Sequence, residues 1–263
     1  MSAAGSEPWT GGRVGAHATC VLAPNPGPMT LDGTNTWVVM APGAGQALVL
    51  DPGPAHESHL RAVHDLVAAR GARVVATILT HGHADHAEGA GRFAELTGSP
   101  IRAVGRGHDD LGHGDVLAAG EVELRVVATP GHTADSLSFV LAADHALLTG
   151  DTILGRGTTV VAHPDGELEA YLDSLDRIRG LTGGGEVVTI LPGHGPIVPD
   201  AAGMVAYYQR HRRERLDQVR AALADGAEGV EGVLERVYAD VPREVWPAAR
   251  LSIAAQLEYL QRR

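Results

Sequence analysis

Three imidazoles and one carboxylate fall within six positions of this chain, in the run Thr80-His81-Gly82-His83-Ala84-Asp85-His86. Neutral imidazole and carboxylate are ligands for zinc and similar divalent metals. His81 and His83 stand two apart, so a short extended stretch can aim both rings the same way. Asp85 and His86 follow a bend and can face a second ion. An apolar β-branched run, Val74 to Leu79, precedes the cluster, and helix-like spacing from Ala87 to Leu96 follows it. The ligand types therefore sit on a turn at the end of a buried strand, where a rigid scaffold commonly presents chemistry.

Three later segments repeat this arrangement. They are Thr129-Pro130-Gly131-His132-Thr133, Leu148-Thr149-Gly150-Asp151-Thr152 and Leu191-Pro192-Gly193-His194-Gly195. Each ends an expected strand on a metal-binding side chain. One Gly-His pair in a turn is commonplace; four strand ends that all deliver N or O ligands point to a shared site. Among the other histidines, His56, His59 and His64 fall on an expected helix and read as solvent-facing. His108 and His113 lie in a Gly/Asp-rich loop and are candidates for the mouth of the site. His17, His145 and His163 read as structural or exposed.

The elements that must position these groups are legible in outline. The chain has 263 residues, enough for one sizeable domain or one domain with a small appendage. Hydrophobic residues make up 44%, which suits a packed core. Residues 1–15 read as a loose polar arm. Strands are expected over Ala16 to Leu22, Asn35 to Met40, Gln46 to Leu50, Val74 to Leu79 and Ile101 to Val104. Further strands are expected over Val122 to Thr129, Leu137 to Thr149 and Val187 to Leu191. Helices are expected over His56 to Arg70 and Leu168 to Leu181, and residues 105–115 read as a loop. This order suggests two sheets packed between outer helices.

After Pro199-Asp200 the texture becomes all-helical. Helices are expected over Ala201 to Ala224, Val230 to Tyr238 and Glu244 to Gln261, and a domain boundary is placed near residue 203. Residues 204–263 hold 10 arginines against 9 acidic residues, net +1, while the remainder holds 11 against 23, net −12. The total of −11 argues against a broad nucleic-acid-binding surface. All 21 basic residues are arginine. Cys20 is the only cysteine, so no internal disulfide can form, which fits a reducing, cytoplasmic setting. The first fifteen residues do not look like a signal peptide, and no apolar run is long enough for a membrane span.

The series HGHADH, PGHT, TGDT and PGHG, in that order, resembles the ligand set of the metallo-β-lactamase superfamily of hydrolases, over roughly residues 17–200. Asp51-Pro52-Gly53 resembles the family's aspartate turn. The resemblance implies an α/β fold, a four-layer αββα sandwich with a two-metal site along one edge. It implies that His81, His83 and His132 hold one ion, and that Asp85, His86 and His194 hold the other. Asp151 would bridge the two, and Asp51 would steady the histidine turn without binding metal. Zinc suits these ligands, with manganese or iron fitting the same donors. Seven groups around two ions leave positions open for water and substrate. A water shared by two dications can be hydroxide near neutral pH, and Asp85 can orient it or pass its proton to the leaving group.

Two more segments narrow the resemblance: Asn25-Pro26-Gly27-Pro28-Met29-Thr30-Leu31 with Gly33 to Trp37, and Gly150 to Val160. They look like the branch that includes a single-stranded-RNA endoribonuclease and thioesterase-like relatives. Asn35, Arg156, Thr158 and Thr159 in these segments are candidates for substrate contact. The branch carries a small C-terminal winged-helix-like domain, which residues 204–263 resemble as three helices with little or no wing. The expected function is metal-dependent hydrolysis of a small ester or thioester. RNA cleavage is the alternative, with Arg156, Arg210, Arg212 and Arg213 for phosphates and Tyr207 and Tyr208 for bases. A non-catalytic RNA- or protein-binding module with a structural metal is a third reading. The expected partner is a small molecule, with no membrane; the helical appendage could support a homodimer or cover the site.

Overall fold

Short apolar runs separated by Gly- and Pro-rich turns build two sheets. A computed structural model describes residues 8–105 and 107–263; residues 1–7 of the expected arm lie outside them. The first sheet contains β1 (Gly12–Val14), β2 (Ala18–Leu22), β3 (Asn35–Val39), β4 (Gln46–Leu50), β5 (Arg73–Ile78), β6 (Ile101–Ala103) and β7 (Asp109–Asp110), in that order. Pairing is antiparallel from β1 to β4 and parallel from β4 to β7. The second sheet contains β8 (Val116–Ala119), β9 (Val122–Ala128), β10 (Leu137–Leu141), β11 (Ala146–Gly150) and β12 (Thr189–Pro192). Its strands are antiparallel except for the parallel pair β11 and β12.

Every residue of β3, β10 and β11 is buried, because both faces of both sheets are covered. Trp37, Leu48, Leu50 and Ile78 of the first sheet meet Leu124, Val126, Phe139 and Leu148 of the second. On the outer side of the first sheet, Val38, Val49 and Val74 pack on Leu60, Val63 and Val67 of α1 (Glu57–Ala68). Phe93 joins that layer; it lies on α3 (Ala90–Thr97), which follows the four-residue α2 (Ala84–Ala87). On the outer side of the second sheet, Val140, Leu147 and Ile190 pack on Tyr171, Leu175 and Ile178 of α4 (Leu168–Gly183) and on Val205 and Tyr208 of α5 (Ala201–Ala224). The result is the four-layer αββα sandwich that the resemblance implied.

The rear half of α5 forms a helical unit with α6 (Gly229–Val237) and α7 (Trp246–Gln261), around Val219, Val233, Leu234 and Ile253. Among the described residues from 201 onward there are helices and no strands. One unbroken helix, α5, runs through residue 203, where the boundary is placed. No helix of the described residues is long and apolar enough to cross a membrane.

Several expectations need correction. Part of the N-terminal arm is docked: β1 adds to the edge of β2, and the Trp9 indole donates to Asn35 Oδ1 at 2.8 Å. The helix expected over 87–96 breaks at Gly89, whose N–H donates to the Gly53 carbonyl at 2.9 Å and is thereby withdrawn from the helix. A side chain at Gly89 would stand 2.9 Å from the Gly53 and Pro54 oxygens, so the two turns can meet only here. The stretch 137–149 is itself a hairpin, β10 and β11, turned at Ala142–Asp144. Strands β7 and β8 arise within or beside the expected loop. His59 is not solvent-facing: at 4% exposure it lies beneath the Asp51 turn, donating Nε2–H to Thr36 Oγ1 at 2.9 Å. Burial pushes its pKa down to about 4.

Candidate metal centre

Strands β4 and β5 run the same way, and so do β9, β11 and β12. Their C-terminal ends therefore gather at one edge of the sandwich. Beyond them come Asp51, the turn from Thr80 to His86, His132, Asp151 and His194. The edge groups His81, His83 and His132 in one triad and Asp85, His86 and His194 in another, with the ligand atoms of each within 4.8 Å of one another. Asp151 touches both. Its Oδ1 is 3.4 Å from His86 Nε2, and its Oδ2 is 3.4 Å from His194 Nε2 and 3.7 Å from His132 Nε2.

The outward nitrogens of four rings are held by fixed acceptors. His132 Nδ1–H donates to the Val160 carbonyl at 2.8 Å, and His194 Nδ1–H to the Gly33 carbonyl at 3.1 Å. His86 Nδ1–H donates to Asp51 Oδ2 at 2.8 Å. The Thr80 hydroxyl donates to Asp51 Oδ2 at 2.8 Å, and so accepts from His81 Nδ1–H at 3.0 Å. Asp51 Oδ1 also accepts from the Thr80 N–H at 2.8 Å. Asp51 thus fixes the turn and the His86 tautomer without facing the site, in the manner of carboxylates behind metal-bound histidines.

Fixing the outer Nδ1 atoms turns each Nε2 inward. His81 Nε2 and His132 Nε2 stand 3.0 and 3.1 Å from the same atom, His83 Nδ1. One proton on His83 can satisfy only one of them, so a nitrogen–nitrogen contact remains that a cation would relieve. His86 Nε2 and His194 Nε2 face each other at 3.1 Å, and Asp85 Oδ2 lies 3.1 Å from His194 Nε2. Asp151 Oδ1 is buried without a hydrogen-bond partner. A side chain at Gly193 would fall 2.7 Å from Asp151 Oδ1 and 2.8 Å from His86 Cε1, so this position keeps the cradle open. These donors fit divalent cations.

The titration pattern agrees. Burial alone would lower His86, but Asp151 and Asp51 hold its pKa well above the usual value. Burial also opposes charge on His194, yet Asp151 and Asp85 push it up to about 9. Burial would raise Asp151 and Asp85; the imidazoles around them keep both below the usual carboxylate range. Burial keeps His81 and His132 low. Without a cation, the second triad gathers protons where positive charge is needed.

The proposed substrate contacts fare differently. Asn35 is fully buried. Its Oδ1 accepts from Trp9 and Cys20, and its Nδ2 donates to the carbonyls of Pro192 and Gly195, both at 2.9 Å. It holds the His194 turn and has no group free for substrate. Thr159 is buried too, and its hydroxyl donates to the Asp151 carbonyl at 2.6 Å. Arg156 pairs with Asp32 at 2.7 Å, while Thr158 is half-buried. Of the residues considered for RNA, Tyr208 is buried and its hydroxyl accepts from the Leu154 N–H at 2.9 Å. Arg212 is buried and donates to the Thr159 carbonyl. His113 accepts from the Ala128 N–H at 3.3 Å in an exposed setting. Sequence reasoning missed Thr80, although its hydroxyl lies inside the motif, and the carbonyls of Val160 and Gly33, which carry no side-chain signal.

Comparison with known proteins extends this picture. The family model for the metallo-beta-lactamase superfamily matches residues 29–114 and 104–194, and the beta-lactamase associated winged helix domain matches residues 230–263. A Caenorhabditis elegans protein named beta-lactamase-like protein 2 homolog is 33% identical over 254 residues, covering 92% of this chain and 83% of its own. An Aspergillus chevalieri atrochrysone carboxyl ACP thioesterase is 32% identical over 247 residues, covering 89% and 77%. The crystal structure of a beta-lactamase domain protein from Burkholderia ambifaria shares the fold, with a TM-score of 0.81 at 22% identity, covering 98% of this chain and 90% of that one. The chain belongs to the metallo-beta-lactamase superfamily, as a metal-dependent hydrolase with a beta-lactamase associated winged-helix domain.

Proposed function

We propose that this protein hydrolyses a small acyl thioester or ester with two divalent ions, zinc being the best match to the donors. The observation that carries this reading is the pair of triads, His81–His83–His132 and Asp85–His86–His194, with Asp151 against both. Two such ions would lower the pKa of water and polarise the scissile carbonyl. The chain's own part is positioning and proton handling. The acceptors behind four of the rings turn each Nε2 inward, so a metal would meet preorganised ligands. Asp85, 28% exposed, is the most open carboxylate of the cluster and is placed to meet substrate. Burial opposes its charge, yet its hydrogen bond with His194 keeps it ionised. It therefore begins the reaction as a proton acceptor.

After taking the water's proton, Asp85 could return it to a leaving alkoxide, which needs one to depart. A thiolate, with a thiol pKa of about 8.5, departs without prior protonation. This favours a thioester, and the thioesterase named among the relatives supports it. RNA cleavage is the weaker reading, because Tyr208 and Arg212 are buried. The buried, solitary Cys20, whose thiol burial pushes up to about 12, is inert and suits a cytoplasmic setting. Metal analysis combined with turnover of a generic acyl thioester and a generic phosphodiester tests the proposal. We expect close to two ions per chain and preference for the thioester. Fewer than one ion per chain with neither substrate turned over would overturn it.

A further inference from the structure

The helical appendage reaches the metal-bearing loops through one buried cation. Arg212 lies on α5, four residues beyond Tyr208, and is 7% exposed. Its guanidinium stacks 4.8 Å over the Tyr171 ring and donates to the Thr159 carbonyl; its Nε is buried with no partner. Among the described residues no carboxylate forms an ion pair with it. Burying a guanidinium on these terms is unfavourable unless the geometry it enforces is useful.

What it touches is the segment that orients the site. Thr159 Oγ1 donates to the Asp151 carbonyl at 2.6 Å, and the next carbonyl, Val160, fixes His132 Nδ1–H at 2.8 Å. Tyr171, under the guanidinium, donates its hydroxyl to the Thr152 carbonyl at 2.6 Å. Tyr171 also backs the His132 turn. Gly131 has φ +128, and a side chain there would stand 2.3 Å from the Tyr171 backbone. Arg212 thus closes a ring of contacts from α5 to the backbone of Asp151, the residue between the triads, and to one imidazole of the first triad.

We propose that Arg212 is a positioning residue for Asp151 and His132, so that α5, the helix that continues into the C-terminal helical unit, is part of the metal centre's support. The inference rests on the two-ion reading. Cobalt(II), added to the full metal-stripped chain, is the probe, because its absorption spectrum reports ligand geometry. For Arg212→Met, folded by circular dichroism, we expect roughly 10–100-fold weaker cobalt binding, the size of effect typical of groups behind metal ligands. We also expect an altered cobalt spectrum, and a lower kcat with KM nearly unchanged.

Arg215→Met is the control. Arg215, on the same helix, donates to the Val237 carbonyl at 3.1 Å and stacks 4.4 Å over Tyr238, inside the helical unit. It should lower thermal stability while leaving the cobalt spectrum as in the wild type. Wild-type affinity and spectrum in folded Arg212→Met would refute the positioning role. If Arg212→Met does not fold, Thr159→Val carries the test, since it keeps the shape and removes the link to Asp151; an unchanged spectrum there overturns the inference equally. No cobalt uptake by the wild-type chain would instead mark failure of the two-ion reading, and the inference falls with it.

Discussion

Asp51→Asn separates a carboxylate that organises the site from one that merely fills space. The side chain is 1% exposed and accepts three hydrogen bonds at 2.8 Å, from the Thr80 N–H, the Thr80 hydroxyl and His86 Nδ1–H. Asparagine keeps the shape but offers one acceptor oxygen and one donor group. With its oxygen toward the Thr80 N–H, its NH2 meets two donors. The Thr80 hydroxyl cannot simply turn, because it already accepts from His81 Nδ1–H. His86 must then move its proton to Nε2, the atom that should face a metal, or leave two donors in conflict. A hydrogen bond to a charged group contributes about 1.5–3 kcal/mol, so two lost bonds set a ceiling of roughly 3–6 kcal/mol. Partial relaxation makes about 2–4 kcal/mol the expected loss. At roughly 2–4 °C per kcal/mol for a chain of this size, Tm should fall by about 4–16 °C. Metal affinity should fall about 10–100-fold. The loss should be larger for the triad containing His86. Thermal melts of metal-free protein and chelator-competition titrations measure both. A variant within 1 kcal/mol of wild type, judged against the ~±0.5 kcal/mol of ordinary surface changes, with unchanged metal affinity, would refute the reasoning.

Four further outcomes follow from the same geometry. His194 has its pKa raised from 6.5 to about 9 and that of His86 is also raised, but their Nε2 atoms face each other at 3.1 Å, so the pair holds one proton between them at pH 7 without metal. Metal binding at pH 7 should release close to one proton from this pair, measurable by calorimetry in buffers of different ionisation enthalpy; release near zero would contradict the assignment. Because the folded-state value of His194 lies above its unfolded one, its contribution to the metal-free fold is full below pH 6.5 and is lost as pH rises through about 9. The metal-free Tm should therefore decline across that window, by up to the equivalent of about 3 kcal/mol from this group, while metal affinity increases. Asp85→Ala should cut kcat by about 100-fold or more with a melt close to wild type, since the side chain is partly open; retained turnover would remove Asp85 from the mechanism. Tyr208→Phe leaves the buried Leu154 N–H without its acceptor and should cost about 1–3 kcal/mol in denaturant unfolding. A neutral result would show that another group, or water, serves that N–H.

The candidate ligands were legible in the sequence because their signal is local. Each lies within a few residues of the end of an apolar run, and such a run becomes a buried strand by periodicity and burial alone. HGHADH, PGHT, TGDT and PGHG could thus be placed on turns, and two sheets between outer helices followed from the same patterning, while the four-layer αββα class was implied by the family resemblance. Boundaries failed where a distant segment intervened. Gly89 breaks a helix because its N–H finds the Gly53 carbonyl, and β1 forms because β2 offers an edge.

The tertiary structure decided which ligands share a space and which polar groups remain available. His83 and His132 meet across 49 positions, and His86 and His194 across 108. Parallel strand direction in each sheet brings those ends to one edge, and direction is a property of the pairing, not of any one segment. The groups that aim the rings include the carbonyls of Gly33 and Val160, which every residue type supplies and no side-chain pattern marks. Asn35, Thr159, Tyr208 and Arg212 looked like contacts for a substrate because polar and aromatic residues near a motif usually face solvent. Packing turned them inward and saturated the first three with internal hydrogen bonds. For Arg212 it joined the helical unit to the loop that holds Asp151, a connection set by how α5 lies across the second sheet.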